Sequence, residues 1–404
     1  MPIVLHINSY SGTGSIGRII DQICAKAQGK GWTCYVASGS RYSKLTSTTR
    51  VKFSSYLSEF LHFAISFLFD RQGLGSYFTT LLLIRKIKRI KPDVIHLHNL
   101  HGYYLHFPLL IRYLKKSKLP LVWTFHDCWN LTGHCVYFDY VGCHKWKEEG
   151  CHACPQLSAY PKSLFLDNSA HNFTLKKRWF TSLDDVHIVT VSHWLNGVVQ
   201  SSFMNKYPIR TIYNGVDLDM FRFNPHSSLH LHDNCQFVLL GVAAVWTSRK
   251  GLSDYIQLRS QLDSSFKIVL IGLNDQQIAE LPSGIVGLKR TTNIQELVDY
   301  YSECDVVLNL SYEETLGMTS IEGFACGKPT VVYNRTASPE LVSAETGRVV
   351  EAGNIDELAL TIREVCQSLS SFSPRTCRLH AEKNFNRDGM FQAYLDLYDE
   401  ILNH

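Results

Sequence analysis

Glu314 and Glu322 stand eight residues apart with Gly317 between them, in the stretch Ser311-Tyr312-Glu313-Glu314-Thr315-Leu316-Gly317-Met318-Thr319-Ser320-Ile321-Glu322-Gly323-Phe324-Ala325-Cys326-Gly327-Lys328-Pro329. An apolar run, Val306–Leu310, precedes it, and a helix is expected to begin at Gly317. Glu314 then falls in a loop and Glu322 in the first turns of the helix. The backbone N–H groups of Gly317, Met318 and Thr319 would lie at the helix N-terminus, where unpaired donors and the helix dipole suit a phosphate. Carboxylates on either side accept hydrogen bonds from sugar hydroxyls. The plainer alternative is a solvated acidic turn, because Glu is favoured at helix N-termini in any case.

A second anion-shaped turn lies near the start of the chain. An apolar run, Ile3–Ile7, leads into Gly12-Thr13-Gly14-Ser15-Ile16-Gly17 and then an amphipathic stretch. This is G-x-G-x-x-G between a strand and a helix, in which Gly12 and Gly14 let the backbone approach a phosphate. A dinucleotide site also calls for an acid at the end of the second strand. That strand ends Ala37-Ser38-Gly39-Ser40-Arg41, without one. Arg41 suits a 2′-phosphate, which keeps an NADP-dependent oxidoreductase as an alternative; a plain turn of small residues is another. His126, in Thr124-Phe125-His126-Asp127, closes a further apolar run, with Asp127 placed to tune its charge. His96 and His98 alternate with Ile95 and Leu97 and are expected to be structural, although either could face an acceptor.

Five cysteines, Cys128, Cys135, Cys143, Cys151 and Cys154, fall within 27 residues. Cys135, Cys143, Cys151 and Cys154 supply four thiolates, and Cys-x2-Cys is a metal-ligand spacing. The surrounding polar loop is long enough to need a staple. Structural zinc, free thiols and disulfides are the readings, and the spacing also admits an iron–sulfur cluster.

The elements that must position these residues alternate throughout. Short apolar runs bounded by turn residues alternate with longer amphipathic stretches, which argues for parallel sheets covered by helices. Strands are expected at Ile3–Ile7, Trp32–Ala37, Asp93–Leu97, Leu119–Phe125, His187–Val191 and Ile209–Ile212, then at Phe237–Ala243, Lys267–Ile271, Val306–Leu310, Thr330–Tyr333 and Arg348–Val350. Residues 1–220 read as one domain with a Cys-rich insertion at 128–156. Residues 236–385 read as a second, and 386–404 as a helix returning to the first. The polar, aperiodic stretch Phe221–Cys235 reads as the linker. Both domains are doubly wound, so ligands belong beyond the carboxyl ends of the strands.

In this arrangement the motifs resemble those of the GT-B glycosyltransferases of family 4. Glu314-x7-Glu322 followed by Ala325-Cys326-Gly327-Lys328-Pro329 is similar to the family's signature. So are Asp93-Val94-Ile95-His96-Leu97-His98, Thr124-Phe125-His126-Asp127, Tyr213-Asn214-Gly215-Val216-Asp217 and Arg249-Lys250-Gly251, in the family's order. The resemblance implies two Rossmann-like domains facing across a cleft. It implies retaining transfer of a sugar from a UDP- or GDP-linked donor, with no catalytic divalent metal. Under it, Glu322 holds the ribose, Glu314 and the amides of Leu316, Gly317, Met318 and Thr319 hold the transferred sugar, and Arg249 and Lys250 face the diphosphate. His126 contacts the sugar, and Gly12 and Gly14 belong to the donor site. His126, Lys250 and Glu314 are the catalytic candidates. The cysteine cluster resembles the branch that builds colanic acid, exopolysaccharide and O-antigen, whose acceptors would be a glycan or an undecaprenyl-diphosphate-linked saccharide. A nucleotide-sugar epimerase of the same architecture is the nearest alternative.

Composition narrows the remainder. The 404 residues carry 40 Lys and Arg against 36 Asp and Glu, too balanced for a nucleic-acid partner on charge alone. With 45% hydrophobic and 19% charged residues the chain is expected to be globular rather than disordered. The most apolar run, Phe60–Phe69, is too short to span a bilayer, and the first residues do not read as a secretory signal. A cytoplasmic location is expected. Phe60–Phe69 and the cations Arg85, Lys86, Lys88, Arg89 and Lys91 suggest peripheral contact with the inner face of the cytoplasmic membrane, the alternative being a packed helix with a solvated basic end.

Overall fold

The computed structural model of the chain describes residues 1–40 and 48–403. Arg41 lies outside the described residues. Two compact units are present, Met1–Ile212 with Phe391–His404, and Tyr213–Met390.

In the first unit the strands β1 (Ile3–Asn8), β2 (Thr33–Ser38), β3 (Thr49–Lys52), β4 (Val94–Leu97), β5 (Leu121–Phe125), β6 (Val186–Thr190) and β7 (Ile209–Thr211) form one parallel sheet, ordered β3-β2-β1-β4-β5-β6-β7. Its helices are α1 (Gly14–Gly29), α2 (Tyr56–Phe69), α3 (Tyr77–Ile90), α4 (Phe107–Ser117), α5 (Ser169–Phe180) and α6 (His193–Gln200). Every residue of β4 and β5 is buried, the pattern of central strands covered on both faces. The second unit repeats the plan. Strands β8 (Phe237–Val242), β9 (Phe266–Ile271), β10 (Ile285–Leu288), β11 (Val306–Asn309), β12 (Thr330–Tyr333) and β13 (Gly347–Val350) pair in parallel in the order β10-β9-β8-β11-β12-β13. They are accompanied by α7 (Leu252–Gln261), α8 (Asp275–Ala279), α9 (Ile294–Glu303), α10 (Met318–Ala325), α11 (Ile355–Gln367) and α12 (Pro374–Asn384). The last helix, α13 (Arg387–Asn403), starts in the second unit and belongs to the first from Phe391 onward.

Two strands escape the pattern read from the sequence, and both are sheet edges. Each buries one residue of four: β3 (Thr-Arg-Val-Lys) has no apolar run to announce it, and β10 (Ile-Val-Gly-Leu) is apolar but only four residues long and broken by Gly287. The polar stretch Phe221–Cys235 is not a free linker. It lies inside the second unit, where the Glu303 carboxylate accepts hydrogen bonds from the backbone N–H groups of Leu229 and Leu231, both at 2.8 Å, and from the Ser227 hydroxyl. One carboxylate with three donors anchors a segment that has no apolar periodicity of its own. The chain instead enters the second unit at Tyr213. There a Cβ on Gly215 would lie 2.3 Å from Arg387 Cα, and Asp217 pairs with Arg387.

Candidate active site

In the second sheet the strand order reverses between β8 and β11, which opens a crevice at their carboxyl ends. The loop leaving β8 ends in a single 3-10 turn, Ser248–Lys250, followed by Gly251 at φ +72°. A Cβ at Gly251 would lie 2.2 Å from the Leu310 carbonyl oxygen, so glycine lets the basic turn abut the exit of β11. The two loops are then sewn together. The Tyr312 N–H donates to the Arg249 carbonyl at 2.8 Å, the Arg249 guanidinium donates to the Glu313 carbonyl, and Lys250 Nζ pairs with Glu314 Oε1. The side chains of Lys250 and Glu314 are only 19% and 13% exposed, so solvent screens this pair little. Burial pushes the Glu314 carboxyl up, but Lys250 and Arg249 together outweigh it and hold the carboxyl below its ordinary value.

Gly317 caps α10 from a left-handed backbone, φ +104°, without a side-chain cap. The N-terminal amides of Met318 and Thr319 therefore open onto the same loop as Glu314, while the Ser320 N–H bonds back to the Gly317 carbonyl at 3.1 Å. Glu322, one turn further, accepts from the Tyr301 hydroxyl at 2.8 Å. The Leu316 side chain is buried and packs inward, so only its backbone is available to a ligand. Two contributors were not visible in the sequence motif. Thr336, in a left-handed conformation rare for a β-branched residue, accepts the Glu314 N–H at 2.9 Å. Asp254 is buried and accepts from both the Tyr312 and Tyr333 hydroxyls, at 2.8 and 2.6 Å, bracing the loop from below.

In the first sheet the order reverses between β1 and β4. Gly12 and Gly14 take positive φ, +65° and +69°, in the turn from β1 to α1, and a Cβ on Gly17 would come within 3.2 Å of the Gly12 nitrogen. A cavity of about 280 Å³ opens there, walled by Tyr10, Gly14, Asn99, His101, Tyr103 and Tyr160 among others. Beside it runs a column of histidines. His6 Nδ1 lies 3.1 Å from His98 Nε2, and His98 Nδ1 lies 3.1 Å from His126 Nε2. His6 Nε2 is buried without a partner. A buried lone pair without a partner is tolerated better than a buried N–H without one. The protons therefore run outward from His6, His126 accepts at Nε2, and its own proton is on Nδ1. Burial lowers His126 to about 4, Asp127 offsetting only part of the effect, and lowers His6 to about 3, so the column is uncharged at neutral pH. Asp127 does not bond His126. Its carboxylate takes His101 Nε2 at 2.8 Å and the Trp129 N–H at 2.9 Å. His96 is structural, held by Tyr398 at 2.5 Å and Thr124 at 2.8 Å, while His98 is buried as the link between His6 and His126.

The family model described as Glycosyltransferase Family 4 matches residues 16–220, just over half the chain, and that described as Glycosyl transferases group 1 matches residues 236–368. The chain belongs to glycosyltransferase family 4. This transferase is 23% identical over 362 residues to the Escherichia coli (strain K12) protein WcaC, named as a colanic acid biosynthesis glycosyl transferase, covering 87% of this chain and 86% of that one. It is 25% identical over 185 residues to the N,N'-diacetylbacillosaminyl-diphospho-undecaprenol alpha-1,3-N-acetylgalactosaminyltransferase of Campylobacter jejuni, covering 43% and 46%. In fold it resembles HepE of Anabaena, solved in complex with UDP, at a TM-score of 0.70 and 15% identity over 99% and 100% of the two chains. The fold is that of the GT-B glycosyltransferases. The matches lend no support to an epimerase or an oxidoreductase.

The remaining candidates of the transferase lie in its first unit. Cys135, Cys143, Cys151 and Cys154 line one small cavity, and none of the four is in a disulfide. Helix α2 is turned inside out: it buries His62 and Ser66, while Tyr56, Leu57, Phe60 and Leu61 stand exposed. Among the described residues no helix is long and apolar enough to cross a membrane.

Proposed function

We propose that this transferase moves a sugar, with retention of anomeric configuration, from a nucleotide-sugar to a glycan or lipid-linked saccharide in bacterial surface polysaccharide assembly. The observation that carries the reading is the Lys250–Glu314 pair at the β8–β11 crevice, beside the open N-terminus of α10. Departure of a nucleoside diphosphate builds negative charge. Lys250, Arg249 and the amides of Met318 and Thr319 offer preorganised positive ends to receive it. Before donor binds, Glu314 neutralises Lys250. On binding, the diphosphate takes over the ammonium and the ionised Glu314 accepts a hydrogen bond from the transferred sugar. Glu322 binds the ribose, with Tyr301 fixing its carboxylate. Gly12 and Gly14 are assigned to the donor, and neutral His126 offers Nδ1–H to the sugar.

The names of the relatives support a polysaccharide or undecaprenyl-diphosphate-linked acceptor, and the UDP complex of HepE supports a nucleotide-linked donor. Peripheral membrane contact is part of the proposal, and the surface supports it. Along α3, Phe78, Leu82, Arg85 and Arg89 share one exposed stripe, an apolar end leading into a basic one. Tyr103, which walls the 280 Å³ cavity, packs its ring 5.3 Å from Phe63 of α2. The apolar helix thus adjoins that cavity.

The test is donor hydrolysis and transfer with a panel of UDP- and GDP-sugars, the product anomer being read by NMR. Turnover with at least one donor, retention of configuration and indifference to brief EDTA treatment are expected. An inverted product, or strict dependence on Mg²⁺ or Mn²⁺, overturns the mechanism.

A further inference from the structure

Between β5 and α5, residues 126–168 run for 43 residues without a helix or strand. A segment that long inside a compact unit needs something other than backbone ladders to hold it. Four of its five cysteines, distributed over 20 residues, converge on one cavity of about 10 Å³, the size of a single small occupant. We propose that this cavity is a structural zinc site whose ligands are the thiolates of Cys135, Cys143, Cys151 and Cys154.

Three further features around the cavity fit an ion held by thiolates. The Gly133 N–H donates to Cys151 Sγ at 3.1 Å, and a Cβ on Gly133 would lie 2.0 Å from the Ser169 carbonyl oxygen and 2.8 Å from Cys151 Cβ. Glycine is therefore required for the amide to reach the sulfur, an arrangement suited to a charged acceptor. His134 is fully buried at the cavity wall. Its Nδ1 lies 2.5 Å from Asp70 Oδ1, and its Nε2 has no hydrogen-bond partner. A carboxylate behind an imidazole whose other nitrogen is unpaired is how proteins orient a metal-ligating histidine, so the cavity wall carries a potential donor beyond the four thiols. Lys176 is also buried, its ammonium donating to the Trp129 and Thr132 carbonyls at 2.7 and 2.9 Å. Zinc displaces four protons to solvent and takes four thiolates, leaving a site of net charge −2. Lys176 and Lys145, which lines the cavity and donates to the His152 and Ala153 carbonyls, balance that charge.

The histidine column of the first unit gathers His6, His96 and His98 with donor atoms within 4.8 Å of one another. Their nitrogens are largely taken by one another, by His126, by Tyr398 and by Thr124, which leaves no open set for an ion. The zinc site has a further consequence. The same segment carries Tyr160, whose hydroxyl lies 3.0 Å from His101 Nδ1 and which walls the cavity between β1 and β4. The ion would fasten one side of that cavity.

Full-length protein made with zinc supplied should contain about one zinc per chain by elemental analysis. Four thiols should resist alkylation in the native protein and become reactive on adding a strong chelator. Cys143→Ser and Cys154→Ser should each lose the metal, whereas Cys235→Ser, in the second unit, should retain it. If the serine variants do not fold, cobalt added to the metal-stripped wild type answers the same question. The intense absorption of tetrahedral cobalt thiolate is expected. Folded protein without zinc and with freely reacting thiols overturns the proposal, as does a purified protein carrying iron and sulfide at this site.

Discussion

The two units have the same sheet plan and opposite electrostatics. At the carboxyl ends of the second sheet the key residues are charged: Lys250 pairs with Glu314, and Arg249 holds the loop that bears it. At the carboxyl ends of the first, they are histidines kept neutral by burial and joined ring to ring. The contrast teaches how one architecture divides the work of a transferase. The proposed donor side must meet a leaving diphosphate and has its charges ready. The histidine side, as proposed, orients a sugar hydroxyl, for which a fixed tautomer is enough. An ion pair tolerates donor binding because one charged partner can replace another. A histidine column tolerates no such exchange, because moving one proton reverses them all.

The largest expected effect breaks the charged side. Lys250→Ala should lower turnover by roughly 100- to 1,000-fold, the loss typical of removing one preorganised donor, while weakening donor binding far less. Glu314→Ala should likewise lower turnover more than nucleotide affinity. Steady-state kinetics at saturating donor checks both, and a Lys250→Ala rate equal to that of the parent would exclude the role. Next in size is Glu322→Ala. Losing a charge-assisted hydrogen bond to ribose should weaken nucleoside diphosphate binding by about 1.5–3 kcal/mol, read by calorimetry.

The neutral side is probed by pH. His6 and His126 have folded values near 3 and 4, below the unfolded value of 6.5. Between about pH 6.5 and 3 the unfolded chain binds more protons, so stability should fall as pH falls through that window, by a few kcal/mol in total. Chemical denaturation at pH 7 and pH 5 measures it. His6→Phe should flatten the slope without creating a rate limb near pH 6.5, and an unchanged slope would show that the column does not titrate as a unit. The smallest effect per residue belongs to the proposed membrane face. Each surface cation contributes on the order of 1 kcal/mol near anionic lipid, screened over about 10 Å at 0.1 M salt. Neutralising Arg85, Lys86, Lys88 and Arg89 together should reduce co-sedimentation with anionic vesicles and leave donor hydrolysis intact. Phe60→Ser with Phe78→Ser should remove the salt-resistant part.

Much of this was legible because parallel strands are buried on both faces and helices are not. β4, β5, β8 and β11 read as apolar runs, and the loops after them are where α/β sheets bind ligands. Gly317 was visible as a helix start and Gly251 only as part of a resembling motif, and neither showed what the glycine had to clear. Of the four edge strands, β7 and β13 were legible and β3 and β10 were not: β3 is polar at three of its four residues, and β10 is a four-residue run broken by Gly287. Helix α2 was read as apolar, but its apolar residues face outward and its buried ones are His62 and Ser66. No propensity distinguishes those two outcomes.

Residue order by itself determined the repeated strand–helix grammar, the two glycine-led helix starts, the Glu314–Glu322 spacing and the supply of four cysteines. These are local properties, set by burial period and backbone freedom within a few residues. Tertiary structure decided the pairings. Lys250 meets Glu314 across 64 positions, Thr336 supports Glu314 across 22, and Asp127 serves His101 rather than its neighbour His126. It also decided that His6, 92 positions from His98, sets the proton on His126, and that Asp70 stands behind His134. Hydrogen bonds act over about 3 Å and register only what the sheet order brings together. That order depends on how the strands assemble, and no local pattern records it.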